Sequence, residues 1–255
     1  MHTLRRMALF FKQSIFLVTL SLLFIPASQA QISPPDVGLV TKVLGEATYW
    51  NKNDQKDPVQ VQGLMKVRQG DYFKLSPGAV MQLLYSASGQ QETWRGPVIF
   101  SASEGESIIA QKQPAPHPEV KILPAEPIKR IIETPIPLPR SHMRYAGAIP
   151  SMGDDKCAIR EPAPASISPG KEVQMRNKET EKVYHLLRKQ TRPDDLTPEL
   201  YLLSVKLQCG HYQDMEKVID AMLRKQPDNA TLKELKDLAA SKSLSKGQPA
   251  PLPRK

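Results

Sequence analysis

Two cysteines, five histidines and 6% aromatic residues in a chain of 255 leave little material for metal or nucleophile chemistry. Cys157 and Cys209 have no neighbouring histidine, which excludes a zinc site of recognisable spacing. Glycine-rich phosphate loops and serine elbow motifs are absent. Long apolar runs are missing too. The longest, residues 14–25, holds about a dozen residues, whereas a bilayer span needs roughly 20. A concentrated charge of one sign is also lacking. The chain carries 35 Lys and Arg against 26 Asp and Glu, a net +9, yet residues 37–110 hold seven of each sign. A nucleic-acid binder would cluster its basic residues on one face, so nucleic acid is not an expected partner. The excess suits solubility or a weak attraction to an anionic envelope surface.

What is present begins with an export signal. Arg5, Arg6 and Lys12 form a positive region, the apolar run follows, and Pro26 breaks it. The sequence Ala27-Ser28-Gln29-Ala30 offers small residues where a signal peptidase reads, so cleavage after Ala30 is expected. The mature protein is then periplasmic or secreted, with no transmembrane anchor after cleavage. No cysteine lies near residue 30, so a lipidated N-terminus is not expected. Outside the cytoplasm Cys157 and Cys209 can pair. Such a bond would close a loop of about fifty residues, to which chain entropy assigns roughly 4 kcal/mol. The alternative is that Cys209 is a small buried thiol in an apolar helix and Cys157 is free.

Beyond the signal the texture changes three times. Residues 37–110 alternate and are punctuated by turns. Val37 to Gly45 is a strand bounded by glycine, and Ala47 to Trp50 continues it. Ser76-Pro77-Gly78 is a turn, after which Met81, Leu83 and Tyr85 share one face. Ser86 to Gly89 is a second turn, and short strands return at Glu92 to Arg95, Val98 to Phe100 and Ile108-Ile109. Short strands at about ten-residue spacing predict a small sandwich or barrel. Residues 111–170 contain twelve of the 24 prolines, which remove donors and fix an extended dihedral. A semi-rigid linker is expected there, with neither helix nor central strand, and with short pairings around 120–123 and 129–132.

Residues 171–246 read as helical, and the tail 247–255 as disordered. Thr197-Pro198-Glu199 supplies an N-cap hydroxyl, a first-turn proline and a carboxylate at the positive end of a helix. Leu200, Leu203 and Leu207 then stack, and Gly210 can end the helix. Met215, Val218, Ile219, Met222 and Leu223 form one apolar face, closed by Pro227. Leu232, Leu235, Leu238 and Ala239 mark a further helix; Val183, Leu186 and Leu187 mark an earlier one.

Two resemblances follow from these residues. Leu202-Leu203, Gly210-His211-Tyr212, Met215, Ile219, Met222 and Pro227 resemble one tetratricopeptide repeat, with methionines where that family has alanine. Glu181-Lys182-Val183 returns as Glu216-Lys217-Val218, and Pro193 and Pro227 lie thirty-four apart, hinting at a preceding repeat. The resemblance implies a protein-binding module whose inner surface is lined by Leu200, Ser204, Leu207 and Gln208. The β segment resembles the FecR-like domain through Gly38-Leu39-Val40, Gly45-Glu46-Ala47, Val61-Gln62-Gly63, Gly70-Asp71-Tyr72-Phe73 and Gly78 to Leu83. That family is all-β and found in exported bacterial envelope proteins. Its founding regulatory members also carry a cytoplasmic region and a spanning helix, neither of which is seen here.

No catalytic constellation, cofactor motif or metal site is read. Asp71 follows Gly70 in a turn, where an aspartate bonds its own backbone. Asp194 and Asp195 are adjacent, so they do not converge as acid and base, and the nearby helix start explains them. Trp50 and Trp94 form a candidate aromatic ligand platform, although a core role is the commoner fate of such rings. The expected fold class is α+β and multi-domain: a small all-β sandwich-like or barrel-like N-terminal domain, a Pro-rich linker and a C-terminal α-helical hairpin module. The expected function is a non-catalytic envelope protein with a protein partner. The alternative is a binder of cell-wall glycan or another envelope polymer.

Overall fold

The computed structural model describes residues 35–51, 57–111, 114, 116–136, 169–209 and 212–246. The export signal at 1–30, Cys157, Gly210, His211 and the tail at 247–255 lie outside the described residues. Among the described residues ten strands and five helices make an α+β protein.

Alternation in the sequence becomes two antiparallel sheets. The strands are β1 (Asp36–Leu44), β2 (Ala47–Trp50), β3 (Val59–Gln60), β4 (Lys66–Arg68), β5 (Tyr72–Leu75), β6 (Val80–Tyr85), β7 (Gln90–Arg95), β8 (Val98–Ala102), β9 (Ser107–Ile109) and β10 (Glu119–Ile122). One sheet has the order β10-β7-β6-β1-β4, and the other β3-β2-β5-β8-β9. Successive residues of a strand point to opposite faces, so each strand sends every second side chain between the sheets. From the first sheet come Val37, Val40, Met81, Leu83, Tyr85 and Trp94; from the second come Phe73, Leu75, Val98 and Phe100. Stacked rings run through this core from Tyr49 to Phe73 (6.2 Å), Phe73 to Phe100 (5.4 Å) and Phe100 to Trp94 (4.4 Å).

The patch of the first sheet's outer face around Leu39, Gln82, Leu84 and Gln91 is apolar and amide-rich, and helices cover it. The helices are α1 (Ala125–Glu133), α2 (Pro169–Gln190), α3 (Thr197–Gln208), α4 (Tyr212–Lys225) and α5 (Ala230–Lys246). Each of α2 to α5 touches the next in sequence, and α1 lies against α3, β1 and β6. Leu39 of β1, Leu84 of β6, Leu64 and Leu123 share a single buried cluster with residues of all five helices, among them Ile128 and Ile131 of α1, Leu187, Leu200, Ile219 and Leu232. Sheet, sheet and helices therefore form three layers with two cores, and the described residues belong to one compact unit.

Strand β10 and α1 form inside the proline-rich stretch where only short extended pairings are expected. The pairing near 120–123 is present, because β10 is an outer strand and the prolines flank it. Residues 129–132, expected as a strand, are helical. Pro124 caps α1 and Pro127 sits in its first turn, where backbone donors have no intrahelical partner to lose. Ile128, Ile131 and Ile132 then lie on one buried face. Among the described residues no helix is long and apolar enough to cross a membrane.

Candidate functional site

The functional geometry centres on the turn between α2 and α3, which presses onto the outer face of the first sheet. Asp195 is buried in this contact. Its Oδ2 accepts hydrogen bonds from Gln91 Nε2 (2.8 Å) and Gln82 Nε2 (3.2 Å), and its Oδ1 accepts one from Thr197 N (2.8 Å). The start of α3 differs from the expected one. Leu196 is the N-cap residue and makes no side-chain cap bond. Asp195, one residue earlier, meets the orphan amide of Thr197, while the Thr197 hydroxyl accepts from Gln91 Nε2 at 3.1 Å.

A bulge in β1 completes the dock. The register against β6 shifts between Val40 and Lys42, which leaves Thr41 as the extra residue. Its hydroxyl donates to Gln82 Oε1 at 2.8 Å, and its carbonyl accepts from Gln226 Nε2, at the end of α4, at 3.3 Å. Gln82 is thus held from both sides: its oxygen accepts from Thr41 and its amide donates to Asp195.

The turn is rigidified from behind by Arg188 and Lys225. Arg188 donates to the carbonyl oxygens of Arg192 and Asp195, to Thr191 Oγ1 (2.9 Å) and to both oxygens of Glu199 (3.2 and 3.3 Å). Lys225 Nζ donates to Glu199 Oε2 at 2.8 Å and to Asp195 O at 3.1 Å. Buried Glu199 therefore ties α2, α3 and α4 together through two cations. The Tyr184 hydroxyl donates to Glu199 as well (3.3 Å), and burial together with that carboxylate pushes the phenol above its ordinary pKa.

Beside this dock the sheet face is open. A small groove of about 120 Å³ runs over the ends of β1, β6 and β7 next to the α2–α3 turn. Leu44 and Val80 supply apolar lining, and Lys42, Arg95, Arg192 and Asp194 supply charge. Lys42 Nζ donates to Asp194 Oδ2 at 2.6 Å, and that bond holds the Asp194 carboxyl below the usual range. Arg192 spans both oxygens of Glu119 at 2.7 Å each. Arg95 is exposed. Charged groups thus surround an apolar strip. The groove contains no serine, cysteine or histidine that a base could activate.

The other anticipated residues fall as follows. Leu200, Ser204 and Leu207 of α3 are buried in the protein's own core, and Gln208 is half-buried, donating to Thr134 Oγ1 at 3.1 Å. The face of α3 that would meet a partner lies in the buried cluster shared with α1, the neighbouring helices and Leu39 and Leu84 of the first sheet. Trp94 is only 1% exposed; it stacks on Phe100 and donates to Glu92 Oε2 at 2.7 Å. Trp50 is half-buried and stacks on Tyr72 instead (5.8 Å, 7°), so the two tryptophans do not share a surface. Cys209 is the residue that ends α3 and is not a free thiol. Its expected partner Cys157 lies outside the described residues. Asp71 accepts from Arg68 N at 2.9 Å, in the turn role read for it, and burial pushes its carboxyl up. Among the described residues no cluster of metal-ligating side chains occurs.

Gln82, Gln91 and Thr41 were not singled out by sequence, and Glu199 only as a carboxylate in the first turn of a helix. The one available signal is a repeat: Pro193-Asp194-Asp195 returns as Pro227-Asp228-Asn229, and the second turn also touches the β layer, with Asn229 against Gly63. No family model, no curated protein and no solved structure matches this chain.

Proposed function

We propose that this chain is a non-catalytic, exported protein of the cell envelope that acts as a protein–protein interaction scaffold. In this reading the FecR-like β layers and the tetratricopeptide-like helices, linked through the Pro-rich segment, pack as one unit, and the protein is periplasmic or secreted. The observation that carries it is the state of the buried carboxylates. Asp71, Glu92, Asp195 and Glu199 are each engaged by backbone amides, amide side chains, an indole or cations. A general acid or base needs a lone pair or proton turned toward substrate, and these are turned toward the fold. The open groove beside them presents charge and apolar surface, which suits recognition. Because Leu200, Ser204 and Leu207 are covered, partner contact is assigned to the groove, with Arg95 at its exposed end.

Affinity capture with the full chain from envelope extract, followed by reciprocal capture with the tagged partner, tests this. The same envelope protein should be retained in both directions and lost with Arg95→Glu. A partner list unchanged by that substitution would contradict the placement, and no retained protein would contradict the reading. The stacked Trp50–Tyr72 pair favours one alternative, a binder of wall glycan or another envelope polymer. Co-sedimentation with purified wall material that is abolished by Trp50→Ala would decide for it.

A further inference from the structure

Among the described residues strand β10 ends its sheet, and its pairing with β7 leaves one edge open. Its register sets Glu119 against Thr93, Val120 against Glu92, Lys121 against Gln91 and Ile122 against Gln90. Just beyond, Leu123 N donates to Gly89 O at 2.9 Å. In an antiparallel ladder bonded and non-bonded pairs alternate. Residues 119, 121 and 123 therefore turn their backbone groups toward β7, and Val120 and Ile122 turn theirs outward. The side chains of those two residues are 48% and 63% exposed. Free edges of this kind are normally blunted by brevity, lysine and proline. Four residues, Lys121 and the flanking Pro118 and Pro124 do part of that here, but two β-branched apolar side chains remain in water.

We propose that β10 is the seam of a homodimer, in which a second copy adds its own β10 antiparallel across a twofold axis at Val120. The strand is complementary to itself in one register. With Val120 opposite Val120, each Glu119 faces Lys121 of the other copy on one side of the sheet. The outward donor and acceptor of Val120 meet those of its counterpart, and each Ile122 N–H meets the carbonyl of Pro118. Pro118 lacks only a donor, so it costs this register one bond per strand. Sliding the strands until Lys121 opposes Lys121 brings like charges face to face, which is destabilising. Glu119 also binds Arg192, which lies on the same side of the sheet, so the carboxylate sits between two cations. Two four-residue strands bury less than a standard interface, and the dimer is a weak one with a dissociation constant on the order of 0.1–1 mM.

Sedimentation equilibrium of the exported, purified chain up to about 1 mM tests the seam. The weight-average mass should rise toward twice the monomer, and added salt should lower it, because exposed charge pairs are screened. Val120→Pro removes an outward donor without touching a bond to β7 and should weaken association at least tenfold, with an unchanged circular dichroism spectrum. Lys121→Glu, an exposed substitution that keeps the strand, should do the same by opposing Glu119. A mass that stays monomeric throughout overturns the proposal, as does a folded Val120→Pro or Lys121→Glu protein that associates like the parent.

Discussion

At the scale of single residues, Asp195 is the side chain on which the layers meet. Replacing it by alanine strands two buried amide donors, on Gln82 and Gln91, and removes the acceptor for Thr197 N. Each stranded donor costs about 1–3 kcal/mol, and a lost cap about 1 kcal/mol. We expect Asp195→Ala to lose about 3 kcal/mol in chemical denaturation; a loss within experimental error would remove the dock from the account. Lys66 gives a second prediction. Burial outweighs the attraction of Asp36 and Glu133 and lowers its amine to about 8. Between that value and the ordinary 10.5 the unfolded chain holds a proton that the native chain has released, so stability rises with pH through this window. Below it the penalty is fully present. Lys66→Met should therefore be more stable at neutral pH by about 1–2 kcal/mol, with the advantage shrinking as pH climbs toward 10. Denaturation midpoints of both proteins across that range measure this, and a pH-independent difference would refute it. Lys66 does not announce itself in sequence, and Asp195 does so only as part of a helix start. Gln82 and Gln91 lie 113 and 104 residues from Asp195, and no local pattern marks a bond made over that distance.

At the scale of elements, most strands were legible, the short β2 and β9 among them, and β4 and β5 were not. Met81, Leu83 and Tyr85 point inward as their spacing requires. By contrast, β4 and β5 hold three and four residues and were not read as strands. Proline density was read as a linker with short pairings; the one near 120–123 is present, but α1 was masked, because proline is compatible with a helix in its first turn. The approach of β10 and α1 to the hairpin between β6 and β7 depends on Gly89, which has φ +67°. A Cβ there would stand 2.3 Å from Leu123 O and 3.3 Å from Ala125 Cα, both backbone atoms that cannot swing aside. Gly89→Ala should cost about 3 kcal/mol, combining left-handed strain with that collision. Hydrogen exchange read by mass spectrometry should then quicken over residues 119–133 while the strands around Phe73 and Phe100 keep their protection. Unchanged exchange at 119–133 would show that the contact is dispensable.

At the scale of the whole molecule, the periodicity of the helical half located its apolar faces without saying what covers them. The stripe of Leu200, Leu203 and Leu207 suits a partner protein as well as it suits the chain's own sheet, and only the fold distinguishes the two. Here Leu39 and Leu84 of the sheet, and Ile128 and Ile131 of α1, share a cluster with that stripe, and Asp195 and Gln226 fasten the helical turns to β1, β6 and β7. The helical layer is thus the lid of the sandwich, and under the proposed function partners are left the groove and the edges. The most direct test is equilibrium unfolding followed at once by helical ellipticity and by the near-ultraviolet signal of buried Trp94. Shared burial predicts coincident midpoints and a single transition. A helical transition that finishes while the Trp94 signal is still native would mean two independent domains and would contradict the account.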